Sequence, residues 1–116
     1  MKRYTFAALA AAGPEHVASR LIRGRRLNGG GLSFHAPGQR THDDGRHAHD
    51  DEEVFCIMQG RGVVEIDGRT EPIQAGDVLV IESGENHHIV GDPEFPIVNC
   101  WFHADDRGHP KQYQSG

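Results

Sequence analysis

The chain has 116 residues, with 12 Lys and Arg against 17 Asp and Glu and a formal net charge of −5. That is room for one domain, and the balance excludes a protein that grips nucleic acid by neutralising phosphates. No run approaches the roughly 18 apolar residues of a membrane-spanning helix, so the expectation is a cytoplasmic protein with neither nucleic-acid nor membrane partners.

The first residues carry a basic tip, Lys2-Arg3, and an alanine-rich stretch to Ala12. The stretch is short and poor in large side chains for a secretory leader, and it predicts one short helical turn closed by Gly13-Pro14. Residues 1–19 thus form an N-terminal extension. Fifteen glycines and six prolines, above the ordinary share of about 12%, then ask for many turns between short strands. Ser19 to Leu27 reads as an edge segment anchored by Leu21 and Leu27. Its Arg20, Arg23, Arg25 and Arg26 are solvated charges that discourage strand pairing. Gly29-Gly30-Gly31 breaks that segment, Leu32 to His35 begins a strand, and Pro37-Gly38 opens a polar loop to Arg46.

Val54 to Gln59 is a continuous apolar strand closed by Gly60. Val63 to Ile66 and Arg69 to Ile73 flank Asp67-Gly68, the strongest short hairpin signal because both central residues need positive φ. Turns at Ala75-Gly76-Asp77 and Ser83-Gly84-Glu85-Asn86 bracket the apolar strand Val78 to Ile81 and lead into His87 to Val90. Ile97 to His103 is the last strand, and residues 105–116 form a polar tail expected to fray. About eight strands with turn signals every 8–12 residues predict an all-β sandwich or barrel over residues 20–104.

Nine histidines are the compositional outlier and point to metal or proton chemistry. His47 and His49 are two apart, so on a strand both rings share a face. Glu53 follows as the apolar strand begins, and His87 opens a separate strand. Three imidazoles and a carboxylate converging from different strands would suit a divalent first-row metal, and four protein ligands would leave positions open for water or substrate.

These residues resemble the two motifs of the cupin superfamily. His47-Ala48-His49, then Glu53, then six residues to Gly60 matches the first motif. Gly76, five residues, Glu82-Ser83-Gly84, two residues and His87 matches the second in spacing. The sequence departs from the pattern at Thr41 and Gly91, where the motifs have Gly and Asn, and at Glu82, where the second has Pro. The resemblance covers about Leu32 to His103. It implies a single cupin-type jelly-roll β-barrel, commonly a homodimer. It also implies one divalent transition metal per chain (iron, manganese, nickel, zinc or copper) held by His47, His49, Glu53 and His87.

The superfamily hosts many chemistries, so the resemblance leaves the reaction open. The leading expectation is a metal-dependent enzyme, an isomerase, lyase or dioxygenase, acting on a small polar organic molecule inside the barrel. The alternative is a non-catalytic small-molecule or metal-binding sensor. Whether His35, Gln39 or His103 faces the open metal positions discriminates between them. If Glu53 points inward, so do Phe55 and Ile57. The last strand offers two faces, Ile97, Asn99, Trp101 and His103 or Val98, Cys100 and Phe102, and parity alone does not choose. Alternation sends His88 to the face opposite His87, as a surface or interface residue rather than a fifth ligand, and Asp50, Asp51 and Glu52 read as a solvated turn. Cys56 and Cys100 read as buried reduced thiols.

Overall fold

The computed structural model describes residues 1–16, 21–22, 26–35, 46–105 and 112–115, with the backbone alone at 26, 28, 46, 47, 49, 105 and 112–115. Its strands are β1 (Lys2–Thr5), β2 (Arg26–His35), β3 (Arg46–His49), β4 (Glu52–Gln59), β5 (Arg61–Ile66), β6 (Arg69–Gln74), β7 (Asp77–Ile81), β8 (His87–Gly91), β9 (Ile97–Asp105) and β10 (Gln112–Ser115), with one helix, α1 (Phe6–Ala12). One sheet has the order β1-β7-β4-β9-β2, a second β6-β5-β8, and β10 pairs with β3. Every strand pairing among the described residues is antiparallel. The all-β barrel expectation is met.

Period-two alternation on β4 explains where the core lies. Phe55 and Ile57 face inward and meet Leu79, Ile81 and Ile97 of the same sheet and Val64, Ile66, Ile73 and Ile89 of the other, all buried. Each such side chain contributes about 1.5–3 kcal/mol on burial. A second apolar layer on the outer face of the large sheet joins Val54, Val78, Val80 and Ala104 to Ile22, with Tyr4, Leu9 and Leu21 packed against it. The first residues therefore cover the large sheet. Thr5 caps α1 by accepting from the Ala8 N–H at 3.1 Å, and the Gly13 N–H closes it on Leu9 O.

The hairpin at Asp67-Gly68 forms with φ of 48° and 83°, as the turn type demands. Pro72 lacks a donor and sits on edge strand β6, where this is tolerated. Asp77 locks the next corner. It accepts from the Gln74 N–H and from Arg3 Nη2, both at 2.8 Å, which ties β1 to the β6–β7 turn.

Three expectations need correction, and one question left open is decided. Lys2 to Thr5, read as part of an extension with only a helical turn, forms edge strand β1 on β7. Gly29-Gly30-Gly31 does not break a strand but lies within β2. A Cβ at Gly29 would come within 2.9 Å of His103 Nε2, and one at Gly30 within 3.1 Å of Trp101 O, so glycine makes room for the bulky side of β9. The tail, expected to fray, supplies β10, which pairs along β3 from Arg46 to His49. On β9 it is Ile97, Asn99, Trp101 and His103 that share the inner face, because the ladder sets Phe55 against Trp101 and Ile57 against Asn99. Arg20, Arg23, Arg25, Thr41 and the loop from Pro37 to Gly45 lie outside the described residues.

Candidate metal centre at the barrel mouth

Strand register brings the chemistry together at one end of the barrel. Glu53 pairs across the ladders with Ile81 on one side and His103 on the other, while His87 opens β8 against Ile66. His87 Nε2 stands 3.1 Å from Glu53 Oε1, and the two side chains are 3% and 8% exposed. Of the four ligands implied by the motifs, these two meet; the side chains of His47 and His49 lie outside the described residues, although both belong to β3.

The His87 contact has a specific electrical requirement. Nδ1 lies 2.9 Å from the Glu85 carbonyl oxygen, which only accepts, so Nδ1 carries a proton. A neutral ring then presents a lone pair at Nε2, facing a carboxylate oxygen that also only accepts. The pair is satisfied by one positive charge between or beside the two atoms, a proton or a cation. Two donors bound at about 2.1 Å and at right angles to one ion are about 3.0 Å apart, close to the observed separation. The ring edge of His87 packs against Phe55 with centroids 5.7 Å apart, which holds its plane. These donors fit a divalent metal.

A second histidine–carboxylate pair stands beside the first. His103 Nδ1 hydrogen-bonds to Asp51 Oδ2, with Asp51 fully enclosed. The carboxylate fixes the proton on Nδ1 and turns Nε2 toward Gly29. The ring lies nearly parallel to Trp101, with centroids 5.6 Å apart and planes at 16°. Asp51 and Glu52, read as a solvated turn, are buried at 2% and 7%. The reason is tertiary: Asp51 serves His103, and Glu52 lies on the outer face of the ladder opposite Ala104. Two buried carboxylates, Asp51 and Glu53, share the inner face at this mouth, and their negative potential favours a cation.

The remaining candidates separate. His35 ends β2 opposite Ile97 and bonds to Ser33 Oγ at 2.9 Å. Ile97 and His103 bound the inner face of β9, about 20 Å apart along an extended strand, so the ladder does not bring His35 to His103. Gln39 lies outside the described residues. His88, expected on the face opposite His87 at the surface or an interface, does face away by alternation, but at 2% exposed it is buried within the chain, opposite Glu65. Asp51 is the residue that sequence reasoning missed. Its one signal was its place two residues before Glu53, which puts it on the same face if the strand is continued backward.

Residues 34–98, more than half of the chain, match the family model for the Cupin domain, Cupin_2. The oxalate-binding protein of Thermotoga maritima is 46% identical over 46 residues, 39% of this chain and 38% of that protein. Among solved structures, a cupin protein from Bacteroides fragilis is similar with a TM-score of 0.59 and 27% identity, covering 64% of this chain and 62% of that one. A predicted oxalate decarboxylase from Thermotoga maritima gives 0.55 and 29%, covering 63% and 62%. The chain spans less than two thirds of the length of each. Among the described residues no helix is long and apolar enough to cross a membrane.

Proposed function

The chain belongs to the Cupin_2 family, and on that footing we propose that it holds one divalent transition metal through His47, His49, Glu53 and His87 and uses it to bind and act on a small carboxylic acid of the oxalate kind. The observation that carries the reading is the 3.1 Å approach of His87 Nε2 to Glu53 Oε1, two electron-pair donors that need a shared positive charge. His47 and His49, two apart on β3, would complete a three-imidazole, one-carboxylate set suited to iron, manganese, nickel, zinc or copper. Such an ion, when bound, supplies Lewis acidity toward a carboxylate oxygen.

Packing argues for a small ligand. Below the mouth Phe55, Ile57, Leu79, Ile81 and Ile89 are each at most 6% exposed, so anything of more than a few atoms must stay at the rim or displace them. The acid class is supported by the Thermotoga maritima matches, whose names are oxalate-binding protein and predicted oxalate decarboxylase. His103, opposite Glu53 on the ladder and steadied by Asp51 and Trp101, would be the residue to hold or move a proton at the rim. A second reading, binding without turnover, is favoured by the oxalate-binding relative alone.

Elemental analysis of tag-free protein should find about one transition metal per chain, and calorimetry should show oxalate binding that disappears after chelation. If oxalate binds equally well to chelated protein, the proposal fails. Turnover of a panel of small carboxylic acids that is lost in His103→Gln, with metal retained, would mark an enzyme; binding without turnover in any of them would leave the second reading.

The same reading includes a homodimer in a reducing, cytoplasmic setting. Two free cysteines suit such a compartment. Leu32 and Phe34, 59% and 70% exposed, lie on edge strand β2 and give a second copy an apolar surface. Sedimentation velocity should show a dimer that Phe34→Asp dissociates; a monomeric wild type would remove this part.

A further inference from the structure

Cys56 and Cys100 stand directly opposite one another on β4 and β9. Both are reduced and half-buried. They occupy the outer face of the large sheet, since Phe55 and Ile57 point to the barrel interior and Cys56 packs with the outer apolar layer. Directly opposed residues in an antiparallel ladder have Cα atoms about 4.5 or 5.5 Å apart, and both spacings fall within the roughly 4.4–6.8 Å that a disulfide spans. Nothing in the metal centre uses either thiol.

From this register we infer that Cys56 and Cys100 are a modification site, forming a reversible cross-strand disulfide when a small disulfide such as oxidised glutathione is present. One cysteine, as thiolate, attacks a sulfur of glutathione disulfide and expels one glutathione thiolate, leaving a mixed disulfide. The second cysteine then attacks the protein sulfur of that bond and expels the other glutathione. The two cysteines lose two protons and two electrons, and glutathione disulfide is reduced to two thiols. The bridge would pin β4 to β9 three residues along from the opposed Glu53 and His103.

Burial, followed by the neighbouring Cys100, pushes the Cys56 thiol above its ordinary value. Attack by Cys56 is therefore slow at neutral pH and quickens as the pH rises. Its second step is intramolecular and fast, because the attacking sulfur is already opposite.

The test is to incubate the full-length protein with oxidised glutathione and follow thiols and mass. The expected result is loss of both thiols together, a mass lower by two hydrogens, a Cys56–Cys100 cross-linked peptide and full reversal by dithiothreitol. In Cys56→Ser and Cys100→Ser the remaining cysteine should instead stop at a glutathione adduct. Wild-type protein that accumulates glutathione adducts, forms chain-to-chain disulfides, or keeps both thiols after prolonged exposure at pH about 8.5, near the ordinary thiol value, would overturn the inference.

Discussion

Gly60→Ala is expected to cost about 3–5 kcal/mol and to lower the unfolding midpoint by more than about 10 °C. Gly60 is the corner at which the chain leaves β4 of one sheet and enters β5 of the other. Its φ is +84°, and a Cβ there would sit 2.1 Å from Pro96 O and 2.8 Å from Phe95 O. Two penalties therefore coincide: about 1–2 kcal/mol for an L side chain in the left-handed region, and a backbone clash that neither carbonyl can relieve by rotating a side chain. The corner is also tightly bonded, since Gly60 O accepts from the Ala75 N–H at 2.9 Å. Two other glycines separate the contributions. Gly68 has φ +83° and nothing within 4 Å of a Cβ, so Gly68→Ala carries the conformational cost alone. Gly62 has no such φ, but a Cβ would lie 2.2 Å from Val90 O, so Gly62→Ala carries the clash alone. Chemical denaturation of the three variants should rank Gly60→Ala the most damaging and Gly68→Ala the least. A Gly60→Ala protein no less stable than Gly68→Ala would mean that the corner relaxes.

The same corner shows what could be read from the chain. Gly60, Gly76 and Gly84 stand at the spacing of the two motifs, and all three have positive φ, 84°, 94° and 79°; a conformational demand that only glycine meets cheaply leaves a mark in the sequence. Alternation on β4 likewise exposed the inner face of Glu53, Phe55 and Ile57, because period two is a local property. What escaped was decided across strands. The glycines of β2 look like a breaker until Trp101 and His103 are seen against them. Asp51 looks like one more solvated acid until His103, far along the chain, takes its carboxylate. Strand β1 was invisible because Lys2 to Thr5 alternates no apolar pattern of its own and is held by Arg3 on Asp77.

Glu53→Gln should abolish stoichiometric metal while leaving the barrel folded. The substitution keeps size and shape but exchanges an anionic donor for an amide, a poor ligand for a divalent transition ion. It also answers the requirement at His87. Nδ1 donates to Glu85 O, and Nε2 presents a lone pair 3.1 Å from the carboxylate oxygen. In the variant an amide N–H donates to that lone pair, and no added charge is needed. The metal-free variant should thus be at least as stable as metal-free wild type, a result that simple loss of packing would not give. His87→Ala removes the other donor and leaves Glu53 buried without its imidazole, so it should lose metal and stability together. Affinity losses should exceed the roughly 10–100-fold typical of residues one step removed from a metal. Because imidazole binds metal as the neutral base, wild-type protein should release its ion as the pH falls toward about 5. Competition against a chromophoric chelator reads all three effects. Glu53→Gln retaining a full equivalent of tightly held metal would remove Glu53 from the ligand set and leave its meeting with His87 as a hydrogen bond at the rim.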